Sequence, residues 1–555
     1  MEYDAALEHL GRCGRFQKIT AIAMSLVGIP AGFNMVAMTF LGAMTDHRCR
    51  LHDNSRGWAN VTEGLNASIP WENVGGTWRL SQCNMYEDPI GAETGERNAT
   101  IETCKYGWVY DRSQYSSSIV TEFDLVCNKA WLTELAQSIY MSGVCLGAVL
   151  FGALSDRYGR RPILLLCLSV QIPLMFAVAF ATDYVTFVTL RFIIGATMNG
   201  FLYSGIVIGT EVVNTSMRTL FGMSVPFTMA ISYILLGALA YCFRDWRTLQ
   251  LAMSVPLILF LSYWWLAPES PRWLITNHKA EEAKAVIRKA AKQNGVEIPE
   301  KIYELIDNKA GEQGSDAHDC GPRTYTMLDL MRTPKLRSTT ILISINWFVL
   351  SAVYYGLCVG TATLAGDHYV NFITSACVEL VGVFLAWFTM ERCGRKLPSV
   401  VFMLLGGCAC AATAAVPENY RMISTVLAMV GRFGISVSFN VFYVYSAEVF
   451  PTVVRNMGLG VATMLARVGG IIAPFVYLLA DTWRPLPLLT FGIMSIFAGL
   501  TMLTMPETLG KPLPNTIASV ENVSQLPPPI LVPDGVVLPG DSDKPLVVFQ
   551  KLTVM

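Results

Sequence analysis

Two formal charges lie deep inside apolar stretches, and they define the chemistry open to this chain. Glu379 sits in Ala376-Cys377-Val378-Glu379-Leu380-Val381, about nine residues into an apolar run at 371–390. Arg467 sits in Met464-Leu465-Ala466-Arg467-Val468-Gly469, about eleven residues into another at 457–480. A charge at the centre of a membrane helix costs roughly 2.5–3.5 kcal/mol on an insertion scale, so each must face a wet cavity or a partner. One reading is a structural salt bridge between the two. The other is a binding site with one anionic and one cationic anchor. Trp347 and Tyr354, seven residues apart in the run 338–360, share a helix face, and aromatic faces hold quaternary ammonium groups well. Phe439 and Tyr233 are further candidates. An aromatic in a membrane helix also has the ordinary reading of packing or lipid contact.

The elements that must position these residues follow from composition. Of 555 residues, 53% are hydrophobic and 15% charged, against about 25% charged in soluble domains. The bilayer is therefore the expected solvent. A net charge of −1 excludes a strongly basic nucleic-acid binder. Apolar runs long enough to cross about 30 Å of hydrocarbon lie near 19–43, 131–154, 162–182, 186–209, 219–241 and 248–267. Six more lie near 338–360, 371–390, 398–416, 422–446, 457–480 and 485–505. The first run exceeds the ~7–15 residues of a signal-peptide core, so no cleaved leader is expected. The pattern predicts an all-α membrane protein of twelve spans in two groups of six: 1–267, and 338–510 after a linker at 268–337.

Gly152-Ala153-Leu154-Ser155-Asp156-Arg157-Tyr158-Gly159-Arg160-Arg161 joins the second and third runs, and a weaker copy, Glu391-Arg392-Cys393-Gly394-Arg395-Lys396, joins the eighth and ninth. By the positive-inside rule these basic turns and Arg12, Arg15 and Lys18 place both termini in the cytoplasm, with Arg244 and Arg247 a mild exception. The long first loop, 45–130, is then extracellular. It holds three glycosylation sequons, Asn60, Asn66 and Asn98. It also holds four cysteines, Cys49, Cys83, Cys104 and Cys127, which predict two disulfides of open connectivity in an oxidising compartment. The linker contains an amphipathic helix near 280–290. The Pro-rich tail, 511–555, is expected to be disordered. Its end, Thr553-Val554-Met555, has the form of a strand that a PDZ-type groove accepts.

The turn motif is one of four features that repeat in order at offsets of 235 to 241 residues. Glu211 and Arg218 recur as Glu448 and Arg455, Arg191-Phe192 as Arg432-Phe433, and Pro268-Glu269-Ser270 as Pro506-Glu507-Thr508. Two six-helix halves related by an axis along the membrane normal are the arrangement of major facilitator transporters. The motif at 152–161 resembles that superfamily's signature. The long cysteine-bearing loop, Pro268-Glu269-Ser270-Pro271-Arg272-Trp273-Leu274, and Ala447-Glu448-Val449-Phe450-Pro451-Thr452-Val453-Val454-Arg455-Asn456 resemble the organic cation, anion and carnitine transporter family, over about residues 10–515.

The resemblance implies a major facilitator fold and a plasma-membrane secondary transporter working by alternating access on small organic ions. The position matching Arg467 is usually aspartate in the cation branch and arginine in the anion and carnitine branches. The position matching Glu379 is glutamate in the cation and carnitine branches. Glu379 with Arg467 is therefore similar to the carnitine and zwitterion branch, and Trp347 and Tyr354 match ligand-lining aromatics. The motifs Phe243-Arg244-Asp245-Trp246-Arg247 and Ile287-Arg288-Lys289-Ala290-Ala291-Lys292 also look closer to that branch. Where that branch has asparagine before the Gly-Phe of the first helix, this chain has Ala31, with Asn34 nearby; sodium coupling stays open. An organic anion exchanger using Arg467 and a non-transporting receptor on the same scaffold are the alternatives.

The charges at the helix ends have a plain reading, orientation, with Gly159 permitting the tight turn. The functional reading is a latch: Asp156, Arg157, Arg160, Glu211, Arg218, Glu391, Arg392, Glu448 and Arg455 form networks that close the cytoplasmic side and break when it opens. An enzyme or ATP-driven pump is not expected. Gly209-Thr210-Glu211-Val212-Val213-Asn214-Thr215-Ser216 lacks the Gly-Lys-Ser/Thr ending of a phosphate-binding loop. The six histidines show no metal-ligand spacing, and no nucleophile–base motif stands out. Neither a catalytic residue, a metal nor another cofactor is assigned.

Overall fold

The computed structural model describes residues 14–50, 68–74, 77–87, 100–214, 217–300, 327–360, 366–417, 420–451 and 453–510, with isolated positions near both ends and in the linker. Asn60, Asn66, Asn98 and the terminal Thr553-Val554-Met555 lie outside them. Eleven helices are long and apolar enough to span a bilayer, and a twelfth, Leu486–Met502, is shorter. In chain order they are α1 (Arg15–Leu41), α2 (Trp131–Tyr158), α3 (Arg160–Val178), α4 (Tyr184–Val212), α5 (Arg218–Cys242) and α6 (Trp246–Leu266). The second six are α7 (Pro334–Gly360), α8 (His368–Cys393), α9 (Lys396–Ala412), α10 (Arg421–Val449), α11 (Arg455–Val476) and α12 (Leu486–Met502).

Several helices run past the apolar stretches that announced them. The apolar residues cross the hydrocarbon, while the extra turn of α2, α4 and α10 carries charge into water. Gly159 alone separates α2 from α3, at φ +107° and ψ 159°, a region essentially confined to glycine. A Cβ there would stand 2.6 Å from the Glu269 carboxylate. Gly394 repeats the device between α8 and α9 at φ +87°, with Glu507 at 2.8 Å. Each glutamate accepts the first amides of the following helix. Glu269 takes Arg160 N at 3.0 Å and Arg161 N at 3.2 Å, and Glu507 takes Arg395 N at 3.1 Å and Lys396 N at 3.0 Å. A carboxylate at a helix N-terminus satisfies orphan amides and meets the positive end of the dipole.

Within the halves, α2 packs on α4, α9 on α10 and α12, and α7 on α11; between them, α2 meets α11 and α5 meets α8. The repeat relates α2 to α8 and α5 to α11, so these two cross-half contacts are equivalents.

The first loop forms three antiparallel ribbons: β1 (His47–Cys49) with β6 (Trp108–Tyr110), β2 (Trp71–Val74) with β3 (Thr77–Leu80), and β4 (Asn84–Tyr86) with β5 (Ile101–Thr103). Two disulfides, Cys49–Cys104 and Cys83–Cys127, join them, with Cα separations of 5.1 and 5.7 Å. His47 lies beside Cys83 and Cys127, but the disulfide leaves those sulfurs without thiolate character, and burial lowers the imidazole pKa. Arg247, which departs from the charge rule, is structural here. It is bound to Glu122 and to the carbonyls of Ala179 and Ala181, tying the returning loop to the α3–α4 turn.

The linker begins with helices Pro271–Thr276 and Ala280–Asn294. Asn294 fastens them to α1: its Oδ1 accepts Phe16 N at 2.9 Å, and its Nδ2 donates to Leu10 O and Gln17 Oε1.

Candidate functional site

The bundle is open at the end bearing the charged turns and sealed at the end bearing the β ribbons. At the sealed end Tyr369, in the first turn of α8, is a hub. Its ring packs on Phe40 of α1, Tyr115 of the loop and Tyr241 of α5, with centroids 5.5–5.7 Å apart. Its hydroxyl donates to Gln114 O at 3.0 Å, and Phe40 also meets Phe372 edge-on at 4.7 Å. Deeper in, Ser138 Oγ of α2 donates to Ile471 O of α11 at 2.8 Å. Below this lies a cavity of about 330 Å³ between α2, α4, α10 and α11. Phe151, Asn199, Tyr203, Tyr443 and Arg467 line its depth, and Asp156 and Arg160 stand at its mouth.

Arg467 is half-buried and faces this cavity. Its Nη2 donates to Tyr203 Oη of α4 at 2.7 Å, a bond between the two halves. Among the described residues no carboxylate lies within ion-pair distance of it. A guanidinium facing a cavity without a counterion is suited to receive an anion.

Glu379 is placed differently. It is buried away from the cavity wall, and it pairs with Arg432 rather than Arg467. Oε2 accepts Arg432 Nη2 at 3.0 Å, and Oε1 accepts the Tyr354 hydroxyl at 2.9 Å. Arg432 Nη1 reaches Cys358 Sγ at 2.6 Å, and its guanidinium lies over the Tyr354 ring at 5.5 Å. In this conformation Glu379 is thus neutralised inside the protein, because a buried carboxylate is tolerable only when paired and hydrogen-bonded. The expectation that Glu379 and Arg467 pair, or stand exposed as two anchors of one cavity, is corrected on that ground.

Trp347, Tyr354 and Phe439 are brought together as one aromatic cluster. Phe439 stacks on Tyr354 at 4.8 Å and meets Trp347 at 5.4 Å. Tyr233 of α5 is buried, and none of these four lines the cavity. The cluster reaches the cavity through Tyr443, which lies against Trp347 at 5.9 Å and faces the open space. Tyr203 and Tyr443 escaped the sequence reading, as did the role of Arg432 as the partner of Glu379. Arg432 carries a usable signal, since it lies well inside the run 422–446, but it enters the sequence reading only as the repeat of Arg191. Its repeat partner Arg191 is also fully buried, over the Tyr140 ring at 4.4 Å and bonded to Asn34 O at 3.3 Å.

At the open end the expected latch residues form separate clusters. Arg160 pairs with Asp156 at 2.9 Å and stands 4.0 Å from Glu211, too far for a hydrogen bond. Arg395 pairs with Glu448 at 3.0 Å, whose other oxygen accepts Thr508 Oγ1 at 2.6 Å. Each of these bonds stays within its own half. Glu391 accepts Trp387 Nε1, Arg392 lies over Phe388, Arg157 over Tyr158, and Arg455 Nε donates to Phe450 O. Glu391 therefore does not repeat the pairing of Asp156. Arg218 is also engaged.

Residues 90–516 match the family described as sugar (and other) transporter. A Drosophila melanogaster organic cation transporter protein is 39% identical over 95% of this chain and 96% of its own length. The human organic cation/carnitine transporter 2 is 36% identical, covering 93% of each chain. Among solved structures, the Escherichia coli xylose transporter XylE in its inward open conformation superposes with a TM-score of 0.58 at 16% identity, covering 91% of this chain and 98% of that one. The twelve-helix architecture and these relatives agree: the chain is a multi-pass transporter, not an enzyme, and belongs to the organic cation/carnitine transporter family of the major facilitator superfamily.

Proposed function

We propose that this protein moves small organic zwitterions, quaternary amines bearing a carboxylate such as carnitine, across the plasma membrane by alternating access. One observation carries the reading: Arg467 faces the cavity with a tyrosine hydroxyl and no carboxylate beside it. Among the charged residues described in the bundle interior, Arg191, Arg432 and Arg467 set three guanidiniums against two carboxylates, Glu379 and Glu134. That balance favours a ligand that brings a carboxylate over a plain cation. The ammonium end rests on aromatic faces at the cavity wall, Tyr443 foremost, with the Glu379–Arg432 pair behind them. Two relatives named organic cation/carnitine transporter 2 lend support to a carnitine-like ligand. A cavity of about 330 Å³ lies within the usual range of small-ligand sites, about 300–1,000 Å³.

The open end is cytoplasmic and the ribbons extracellular, a reading supported by the basic turns and by disulfides that need an oxidising compartment. The charge clusters at the open end then act as a latch that re-forms across the halves when that end closes. Uptake of labelled carnitine, tetraethylammonium and a dicarboxylate, with and without sodium, tests the reading. Carnitine uptake that is lost in Arg467→Asp supports it. Dicarboxylate uptake without carnitine uptake replaces it with the second reading, an organic anion exchanger, which the excess of guanidinium charge also favours.

A further inference from the structure

We propose that Tyr203 is the second donor of the carboxylate site and fixes selectivity for ligands that carry one. This rests on the reading of Arg467 as the anion anchor. Tyr203 is on α4 and Arg467 on α11, so their 2.7 Å bond crosses from one half to the other at the depth of the cavity. In that bond the phenolic oxygen accepts, so the tyrosine's own proton is not used by it. A tyrosine hydroxyl has one donor and two acceptor positions, and no other bond to Tyr203 is made among the described residues. The proton is therefore available to a ligand in the cavity that both residues line. A carboxylate has two oxygens and about four lone-pair positions. Seated between these side chains, it accepts one bond from the guanidinium and one from the hydroxyl.

The geometry has a consequence for coupling. A carboxylate held by both residues bridges the two halves where they already meet, one helical turn from the Ser138–Ile471 bond that closes the sealed end. A ligand without a carboxylate leaves the Tyr203–Arg467 bond as it is and gains neither donor. Tyr203 thus discriminates by an interaction that only one class of ligand can make, and a site built around such a group rejects analogues that leave it unpaired.

The test uses the full-length protein in cells, with surface expression measured for every variant. Tyr203→Phe removes the hydroxyl and keeps the ring. Michaelis curves are recorded for the carboxylate compound that the wild type carries, carnitine or a dicarboxylate, with tetraethylammonium as the comparison. The expected result is a KM for the carboxylate compound raised about tenfold, the worth of a charge-assisted hydrogen bond, with maximal rate within about twofold. Tetraethylammonium transport or inhibition stays at the wild-type level. In an Arg467→Gln background the same change has no further effect, because donors that act on one group are not additive. An unchanged KM in Tyr203→Phe overturns the inference alone, and so does an equal loss for both ligand classes. A wild type that carries no carboxylate compound overturns the functional reading, and the inference with it.

Discussion

Arg191 in α4 and Arg432 in α10 occupy repeat-related positions, and both are buried, yet their surroundings differ. Arg432 has a carboxylate at 3.0 Å, a thiol and a tyrosine ring. Arg191 has one backbone carbonyl and a tyrosine ring, and among the described residues its Nε and Nη1 have no hydrogen-bond partner, where Arg432 leaves only its Nε without one. The turns differ in a similar way. Arg160 chooses Asp156, whose side chain is 78% exposed, whereas Arg395 chooses Glu448, which is 20% exposed. The glycine turns themselves, each with its capping glutamate, are alike in both halves. Backbone geometry has kept the symmetry of the repeat, while buried charge pairing has diverged. A turn must be built the same way in each half, but side chains packed between unlike faces carry no such constraint.

The largest expected effect separates the two buried arginines. Glu379→Gln or Arg432→Met leaves one member of a buried pair uncompensated, which costs about 3–5 kcal/mol, read as a lowered melting temperature in detergent. The double variant recovers most of it. Arg191→Met breaks no ion pair among the described residues and costs about 1 kcal/mol, one carbonyl bond. Equal losses from Arg191→Met and Arg432→Met would remove the asymmetry.

Next come the turns, where the halves should agree. Gly159→Ala and Gly394→Ala each force a Cβ into a glycine-only conformation and against a carboxylate. Each is expected to cost about 1–3 kcal/mol, and the two losses should match.

A smaller effect concerns Glu507. Burial pushes its pKa up, but the amides of Arg395, Leu509, Thr508 and Lys396 prevail and hold it below the ordinary carboxylate value. A carboxyl with a depressed folded pKa contributes stability that is fully present above its unfolded value, about 4.3. That stability is lost as pH falls through the folded value. The stability gap between wild type and Glu507→Gln should therefore be full near neutral pH and shrink as pH drops below about 4. A gap independent of pH would remove the ionised cap.

The smallest stability effect belongs to Asp156→Asn, within about 0.5 kcal/mol, since an exposed pair contributes little. On the proposal that this charge belongs to a latch, transport should nevertheless slow with surface expression intact. Normal transport by this variant would leave its charge with orientation alone.

The twelve spans were legible because apolar length is a local property, and the repeat because its four motifs kept their order. Gly159 declared itself by standing between two apolar runs, with Pro162 marking the first turn of the next helix. Arg432 is legible only as a repeat marker of Arg191, although the run 422–446 places it inside the hydrocarbon; that it answers Glu379 depends on how α8 packs on α10. The cysteine pairs could not be chosen from spacing, since ribbon pairing between distant strands decides which Cα atoms come within 5–6 Å. Glu269 and Glu507 were visible as repeat markers, but their role as caps depends on where α6 and α12 return to the turns.

The sequence by itself determined that this is a duplicated membrane protein whose interior carries opposite charges, because hydrophobic length and the cost of buried charge do not depend on packing. Only the tertiary structure decided which charge is answered inside the protein and which is left facing the cavity. Glu379 and Arg467 look equivalent along the chain, each a lone charge near the middle of a helix. Packing of α8 on α10 gives Glu379 its arginine, while α11 turns Arg467 toward α4 and a tyrosine hydroxyl. Helix rotation and neighbour choice set that difference, and both are properties of the assembled bundle.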